Sequence, residues 1–261
     1  MNRASRPGSL VVVGTGISLV GQATLEAVAH MERAERLFYV ANNPAVEDWI
    51  RRLNASATAL HGLYGQGKRR QQTYREMAER IVSAVREGFS VCAAFYGHPG
   101  VFVRPSHDAI RRARREGFPA RMLPGISAED CLFADLALNP GESGCQSYEA
   151  TDFLGHGRRF DPSTPLILWQ VGVLGESSVR EGMSGRPERL ALLTRVLRRH
   201  YSPRHPLVLY EAAQFPICNP RVERIRLERL PRAAVMPMTT LYIPPKPSRP
   251  MSRTIARWLE E

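Results

Sequence analysis

The sequence predicts two α/β domains, and three observations carry that prediction. SLVVVGTG at 9–16 is an apolar run that ends in glycines and is followed by a helical stretch and a second apolar run; Pro124-Gly125 stands where such a unit could hinge; and the second half is richer in strands. The expected boundaries are residues 1–124, 125–246 and a tail at 247–261.

The first strand runs into a glycine turn, and QATLEAVAHMERAE then carries Leu25, Val28 and Met31 at helical spacing. LFYVA is the next strand, so the chain opens β-α-β, which implies a parallel sheet with right-handed crossovers. A helix near 45–53 precedes a longer one in which Met77, Ile81 and Val85 recur every four positions and share a face with Tyr74. Arg70 lies one turn before Tyr74. Gly88-Phe89 ends that helix and opens the strand leading into FYGHPGVF. A helix at 106–116, a short strand ARML, the loop PGISAED and a helix at 127–136 follow. Beyond them LILWQVG, PLVLYEAA, RVERIRLE and TTLYIPP read as strands around a helix at 187–200. The tail reads as a proline-rich linker and a short helix with Ile255, Trp258 and Leu259 on one side.

At 261 residues and 43% hydrophobic composition the chain can bury two cores. No window approaches the roughly 18 apolar residues of a membrane span, and Cys92, Cys131, Cys145 and Cys218 are scattered as free thiols of a reducing cytosol would be. A cytoplasmic protein without a membrane partner is expected. The net charge of +11 raises the question of nucleic acid. The 34 arginines and two lysines are spread along the whole length, however, and IRRARREG at 110–117 fits a solvated helix face. No recognition motif accompanies them, so no nucleic-acid partner is expected. There is no H-E-x-x-H, no His/Cys cluster at ligand spacing and no G-x-S-x-G elbow, so neither a metal nor a serine nucleophile is expected.

VGTGIS and FYGHPG both lack the Gly-Lys-Ser/Thr ending of a phosphate loop, and LFYVANN offers no acidic residue to a dinucleotide ribose. Gly97, Gly100 and Gly125 would still let backbone approach a flat ligand closely. On residue type alone, Val101, Phe102 and Tyr74 read as core, His98 as a turn cap and Arg70 as a surface residue.

VVVGTGIS, FYGHPGVF and LPGISAED, in that order, resemble the tetrapyrrole methylase superfamily, whose S-adenosylmethionine lies in a cleft between two α/β domains. LYGQGKRRQQTYREMAE, FYGHPGVFVRPSH, ARMLPGISAEDCLFADL, YEATDFL and YIPPK narrow the resemblance to borosin-type peptide backbone α-N-methyltransferases, over roughly residues 9–246. Tetrapyrrole enzymes commonly have Asp where His98 stands and Pro in the first glycine loop; the departure from both points away from a corrin or porphyrin acceptor. The resemblance implies that Tyr96, His98, Val101 and Phe102 line the cofactor with Ser127 and Ala128. It adds Gln170, Tyr210, Thr239 and Thr240 from the second domain, and S-adenosylhomocysteine as the product.

An amide nitrogen is a poor nucleophile because its lone pair is delocalised into the carbonyl. Methylation needs its proton removed while charge builds on the oxygen. A phenol with a reference pKa of about 10 becomes a usable base only where a cation favours its phenolate. The active-site tyrosines and arginine of the borosin enzymes fall on Tyr64, Arg70 and Tyr74. Tyr74, assisted by Tyr64, is therefore expected to take the proton, and Arg70 to stabilise phenolate and imidate charge. His61 stands where related enzymes have a further active-site tyrosine. Fused borosin enzymes carry their own substrate at the C-terminus, whereas this sequence stops at ARWLEE. The resemblance therefore implies a separate precursor peptide acting in trans on a homodimer, or a heterotetramer with two precursors. The alternatives are a tetrapyrrole C-methyltransferase, an arginine-rich nucleic-acid binder, and a member that binds cofactor without turnover.

Overall fold

The structure, a computed structural model, describes residues 7–19, 21–178, 184–247 and 252–260. Two compact units divide it. One comprises Met1–Ala137 with Ser177–Glu181 and Ala212–Pro220, the other Leu138–Glu176, Gly182–Glu211 and Arg221–Glu261. The first unit thus extends past the Pro124-Gly125 pair and takes back two short segments from later in the chain.

The first unit is built on five strands: β1 (Ser9–Gly14), β2 (Arg36–Val40), β3 (Thr58–Ala59), β4 (Ser90–Phe95) and β5 (Ala120–Met122). They lie in the order β3-β2-β4-β1-β5, and every pairing is parallel, as the β-α-β opening predicts. Its helices are α1 (Leu25–Arg33), α2 (Pro44–Leu53), α3 (Arg70–Arg86), α4 (Arg104–Arg115) and α5 (Ala128–Asp135). Because strand side chains alternate, β1, β2 and β4 each feed two cores. Leu10, Val12, Phe38, Val40, Val91, Ala93 and Phe95 pack with Met77, Ile81 and Val85 of α3 and Ala109 and Ala113 of α4. Val13, Leu37, Tyr39, Cys92 and Ala94 pack on the opposite face with Ala27 and Met31 of α1 and Val46 and Ile50 of α2.

Helix starts follow local chemistry. Thr24 and Asn43 accept backbone N–H groups of Ala27 and Val46, and Pro44 follows Asn43 at the first helical position. The apolar spacing in α1 needs one correction: Leu25 is 90% exposed and the buried residues are Ala27 and Met31, four apart, with Val28 at their margin. Leu25 opens the helix directly after its cap and faces outward.

The second unit has a mixed sheet of β6 (Gln146–Glu149), β7 (Leu166–Trp169), β8 (Pro206–Glu211), β9 (Arg221–Arg226) and β10 (Thr240–Ile243) in the order β6-β7-β10-β8-β9. β6 and β7 are parallel; the other pairs are antiparallel. Its helices are α6 (Pro140–Ser143), α7 (Ala150–Gly155), α8 (Pro187–Leu197) and α9 (Arg253–Glu260). Leu166, Leu168, Leu207, Leu209, Leu241 and Ile243 form a core with Leu190, Leu193 and Leu197 of α8 and Phe153 of α7. Two strands stop short of the segments that predicted them. LILWQVG ends at Trp169, where Gln170 turns left-handed into a 3₁₀ turn, and RVERIRLE gives way to a 3₁₀ turn at Leu227–Arg232. The edge strand β9 carries Arg221, Glu223, Arg224 and Arg226, charges that discourage pairing with another edge. The apolar side of α9 is exposed at Ile255, Trp258 and Leu259, and residues 248–251 of the expected linker lie outside the described residues. Among the described residues no helix is long and apolar enough to cross a membrane.

Candidate functional site

In a parallel sheet the loops after neighbouring strands leave one edge together, which is where such sheets hold ligands. β4, β1 and β5 are neighbours, so Thr15-Gly16, Tyr96–Phe102 and Leu123–Ser127 share that edge. The three backbones are in contact. Gly97 donates its N–H to the Gly16 carbonyl at 2.7 Å. A Cβ on Gly14 would lie 2.2 Å from the Gly97 oxygen, and one on Gly125 would lie 3.5 Å from the Gly14 Cα. A side chain at Gly14 is excluded by backbone, one at Gly125 would meet the Gly14 backbone in ordinary contact range, and Gly97 has φ +72°, which favours glycine.

On this frame His98 caps its own turn: Nδ1 accepts the Gly100 N–H at 2.9 Å. Val101 and Phe102 are not core. They are 36% and 47% exposed, and Phe102 sits at φ +57°, so the core reading of residue type is overturned by the loop's turn outward. Ser127 is buried and caps α5, its hydroxyl accepting from Glu129 and Asp130 while its N–H donates to the Asp130 carboxylate. Ala128 is the first residue of that helix. Residues 96–102 include no Lys or Arg. A loop of exposed aromatic and aliphatic surface with an imidazole whose Nδ1 is an acceptor fits a sulfonium cofactor better than a phosphate.

A second group lies in the same unit. Tyr64 leaves the 3₁₀ turn His61–Leu63, Arg70 opens α3, Tyr74 stands one helical turn further on, and Tyr96 follows β4. Tyr64 and Tyr74 pack against the core beneath α3, which bears out the core reading of Tyr74 in part. Burial pushes the Tyr64 phenol well above the ordinary tyrosine range. The neighbouring Tyr74 and Tyr96 phenols push it further, and the Arg70 charge acts in the opposite direction. Tyr96 is 46% exposed, yet burial at its hydroxyl end raises its pKa too, with Tyr74 adding and Arg70 opposing. The structure therefore brings Tyr64, Arg70, Tyr74 and Tyr96 into one electrostatically coupled group. Sequence reasoning placed Tyr96 with the cofactor loop only; its proximity to Tyr74 follows from α3 running back into β4 and packing on it, which sets the first turns of the helix over the carboxyl end of that strand.

Sequence reasoning also missed how α3 begins. Arg69, in the capping position, supplies no side-chain cap; instead Arg70 donates its N–H to the Ser177 carbonyl at 3.0 Å, and Arg69 pairs with Ser178. That partner lies more than a hundred positions away, beyond any local signal.

The remaining candidates belong to the second unit. Tyr210 and Thr240 are paired across β8 and β10, both buried, on the face opposite the Leu209 and Leu241 core. Thr239 is also buried; its hydroxyl donates to Glu211 and accepts the Met236 N–H at 2.7 Å, so both of its hydrogen-bonding roles are already in use. Gln170 follows β7, the neighbour of β10, in the left-handed conformation.

The model of the tetrapyrrole (corrin/porphyrin) methylases matches residues 9–231, which include all of these positions but Thr239 and Thr240. The chain belongs to the tetrapyrrole methylase family. This methylase is 44% identical, over 98% of its length, to a methyltransferase/ribosomally synthesized cyclic peptide dendrothelin A precursor of Dendrothele bispora. It is 42% identical, again over 98%, to the corresponding omphalotin A precursor of Omphalotus olearius. It covers 62% of each of those two proteins, and 29% of a type III borosin precursor of Anomoporia bombycina to which it is 44% identical over 94% of its own length. The chain thus spans about three-fifths or less of these relatives. Among solved structures, uroporphyrin-III-C-methyltransferase from Thermus thermophilus superposes with a TM-score of 0.64 at 20% identity, covering 91% of this chain and 92% of that one. Diphthine synthase does so at 0.60 and 15%, covering 91% and 90%. Both share the fold.

Proposed function

We propose that this methylase transfers methyl groups from S-adenosylmethionine to backbone amide nitrogens of a ribosomal precursor peptide. The observation that carries the reading is the coupled group of Tyr64, Arg70, Tyr74 and Tyr96 beside the glycine loops. A relative of the same fold has been solved as a uroporphyrin-III C-methyltransferase complexed with S-adenosyl homocysteine, and the relatives of 42–44% identity are named as methyltransferases joined to cyclic-peptide precursors. Tyr96, His98, Val101, Phe102, Ser127 and Ala128 would hold the cofactor; for Gln170, Tyr210, Thr239 and Thr240 a cofactor role is carried by the resemblance alone. When bound, the cofactor supplies an electrophilic methyl group.

The chain's own residues supply the rest. Tyr64 and Tyr96, pushed up by burial, remain protonated at neutral pH and act as hydrogen-bond donors. Tyr64 donates toward Tyr74 and, with Arg70, would hold it as the phenolate that takes the amide proton; as that charge is neutralised, negative charge builds on the amide oxygen, where Arg70 would stabilise it. Alignment of the nitrogen is the larger task, because a well-oriented pair of reactants reaches effective molarities on the order of 10⁵ M or more. A homodimer is part of this reading, and light scattering at about twice the 29.3 kDa chain mass tests it.

The deciding experiment is mass spectrometry of apolar precursor peptides incubated in trans with enzyme and S-adenosylmethionine, followed by fragmentation. Additions of about 14 Da on backbone nitrogens are expected. Bound cofactor with no addition to any peptide would move the acceptor to a small molecule, with a tetrapyrrole tried first.

A further inference from the structure

Lys68 is one of only two lysines beside 34 arginines, and its surroundings explain why an ammonium is used there. Its Nζ donates to the Leu63 carbonyl at 2.9 Å and to the Glu76 carboxylate, while Gln72, one turn before Glu76, donates to the other carboxylate oxygen at 3.1 Å. The Leu63 carbonyl and the Tyr64 N–H belong to one planar peptide unit. Both ends of that plane are held, because the Tyr64 N–H donates to the His61 carbonyl at 3.0 Å. The position of the Tyr64 Cα is therefore set by Lys68 on one side and the 3₁₀ turn on the other. Glu76 sits on α3 two residues beyond Tyr74, so the same ammonium ties the Tyr64 turn to the helix that carries Arg70 and Tyr74. The Lys68 N–H closes onto the Gly65 carbonyl at 3.0 Å and aims the side chain back across the turn. Three tetrahedral donors on one atom can reach a carbonyl and a carboxylate lying in different directions, which the planar fork of arginine does less well.

We propose that Lys68 and Glu76 are positioning residues that fix Tyr64 relative to Tyr74 and Arg70, and so set the rate of methyl transfer without touching cofactor or substrate. The proposal rests on the functional reading above for its kinetic consequence, but not for its geometric one. The lowered pKa of Glu76, caused first by the Lys68 hydrogen bond and assisted by Gln72, keeps the carboxylate ionised and the contact charge-assisted at neutral pH.

The test is Lys68→Met, which keeps the aliphatic stem, alongside Lys68→Arg and the pair Glu76→Gln and Glu76→Ala. Each protein is first checked for native circular dichroism. Displacing a reacting group by about 1 Å costs on the order of 100-fold. Lys68→Met is expected to lower kcat ten- to a hundredfold, with cofactor affinity by calorimetry within twofold. Lys68→Arg should recover part of that loss, and Glu76→Gln should retain more activity than Glu76→Ala. In parallel, ¹³C-labelled tyrosine rings, assigned with Tyr64→Phe and Tyr74→Phe, should show both resonances shifted in Lys68→Met. Unshifted Tyr64 and Tyr74 resonances overturn the proposal, as do shifted resonances with kcat intact. Should the wild-type enzyme methylate no peptide, the functional reading fails and the resonances alone decide whether Lys68 holds the turn.

Discussion

The two sheets are of equal strand number and opposite habit. In the first, all strands are parallel, both faces are covered by helices, and the candidate side chains stand on loops and helix starts beyond the strand ends. In the second, the strands are mostly antiparallel, and Tyr210 and Thr240 lie within the ladder on one face. A parallel sheet has no hairpins, so its strand ends are free to carry loops and helix starts that converge. An antiparallel ladder uses its ends for turns and offers a flat face instead. Under the proposed function, the first unit carries the chemistry and the second supports binding.

The largest expected effect would break that division most directly. Tyr74→Phe should lower kcat by about 10²- to 10⁴-fold, on the order of 3–5 kcal/mol of barrier. Thr240→Val should instead weaken cofactor binding about tenfold, the worth of one hydrogen bond, and leave kcat within a fewfold. Single-turnover kinetics beside calorimetry separates the two. Equal kcat losses would mean that both units share the chemistry.

The next effect concerns the loop frame. Gly14→Val places a branched side chain where a single Cβ already meets the Gly97 oxygen at 2.2 Å, and should cost about 3 kcal/mol in urea unfolding. Gly62→Ala, with nothing within 4 Å of the added carbon, should stay within about 0.5 kcal/mol. A smaller loss, about 1 kcal/mol, is expected for Ser127→Ala, which removes the α5 cap. If that loss were accompanied by a cofactor affinity unchanged within error, Ser127 would be a cap alone.

How much of this could be read from the chain depends on distance along it. The stripe Met77, Ile81 and Val85, the strand β1 and the glycine turns were legible because period and turn chemistry are local. Leu25 misled because helical spacing does not say which side of a short helix faces the sheet. Val101 and Phe102 misled because residue type does not reveal a left-handed backbone at the loop tip. Ser177 over the start of α3, and Tyr96 beside Tyr74, are consequences of strand order, which one sequence does not print. The tyrosine and arginine assignments came from the resemblance to borosin enzymes, since a tyrosine on an apolar helix stripe reads by itself as core.

One tyrosine in each unit allows the smallest and sharpest contrast between the units. Burial raises Tyr64 in the first unit, and raises Tyr201 in the second to about 12. In each case the fold retains a proton that the unfolded chain releases near pH 10, so stability is complete below pH 10 and declines as pH rises beyond it. Each group that stays protonated should contribute a loss on the order of 1 kcal/mol by pH 11. The two hydroxyls differ in one respect: Tyr64 interacts with the Tyr74 phenol, whereas the buried Tyr201 hydroxyl has no hydrogen-bond partner among the described residues. Tyr201→Phe should therefore be neutral or stabilising at pH 7 and should flatten the alkaline decline, because it removes both an unsatisfied group and a titrating one. Tyr64→Phe should flatten the decline as well, but should cost about 1 kcal/mol at pH 7 by taking away the polar interaction with Tyr74. Urea midpoints at pH 7 and pH 11 for the two variants measure this. Equal costs at pH 7 would show that the Tyr64–Tyr74 contact adds nothing to the fold, leaving any effect of Tyr64→Phe on methylation to chemistry alone.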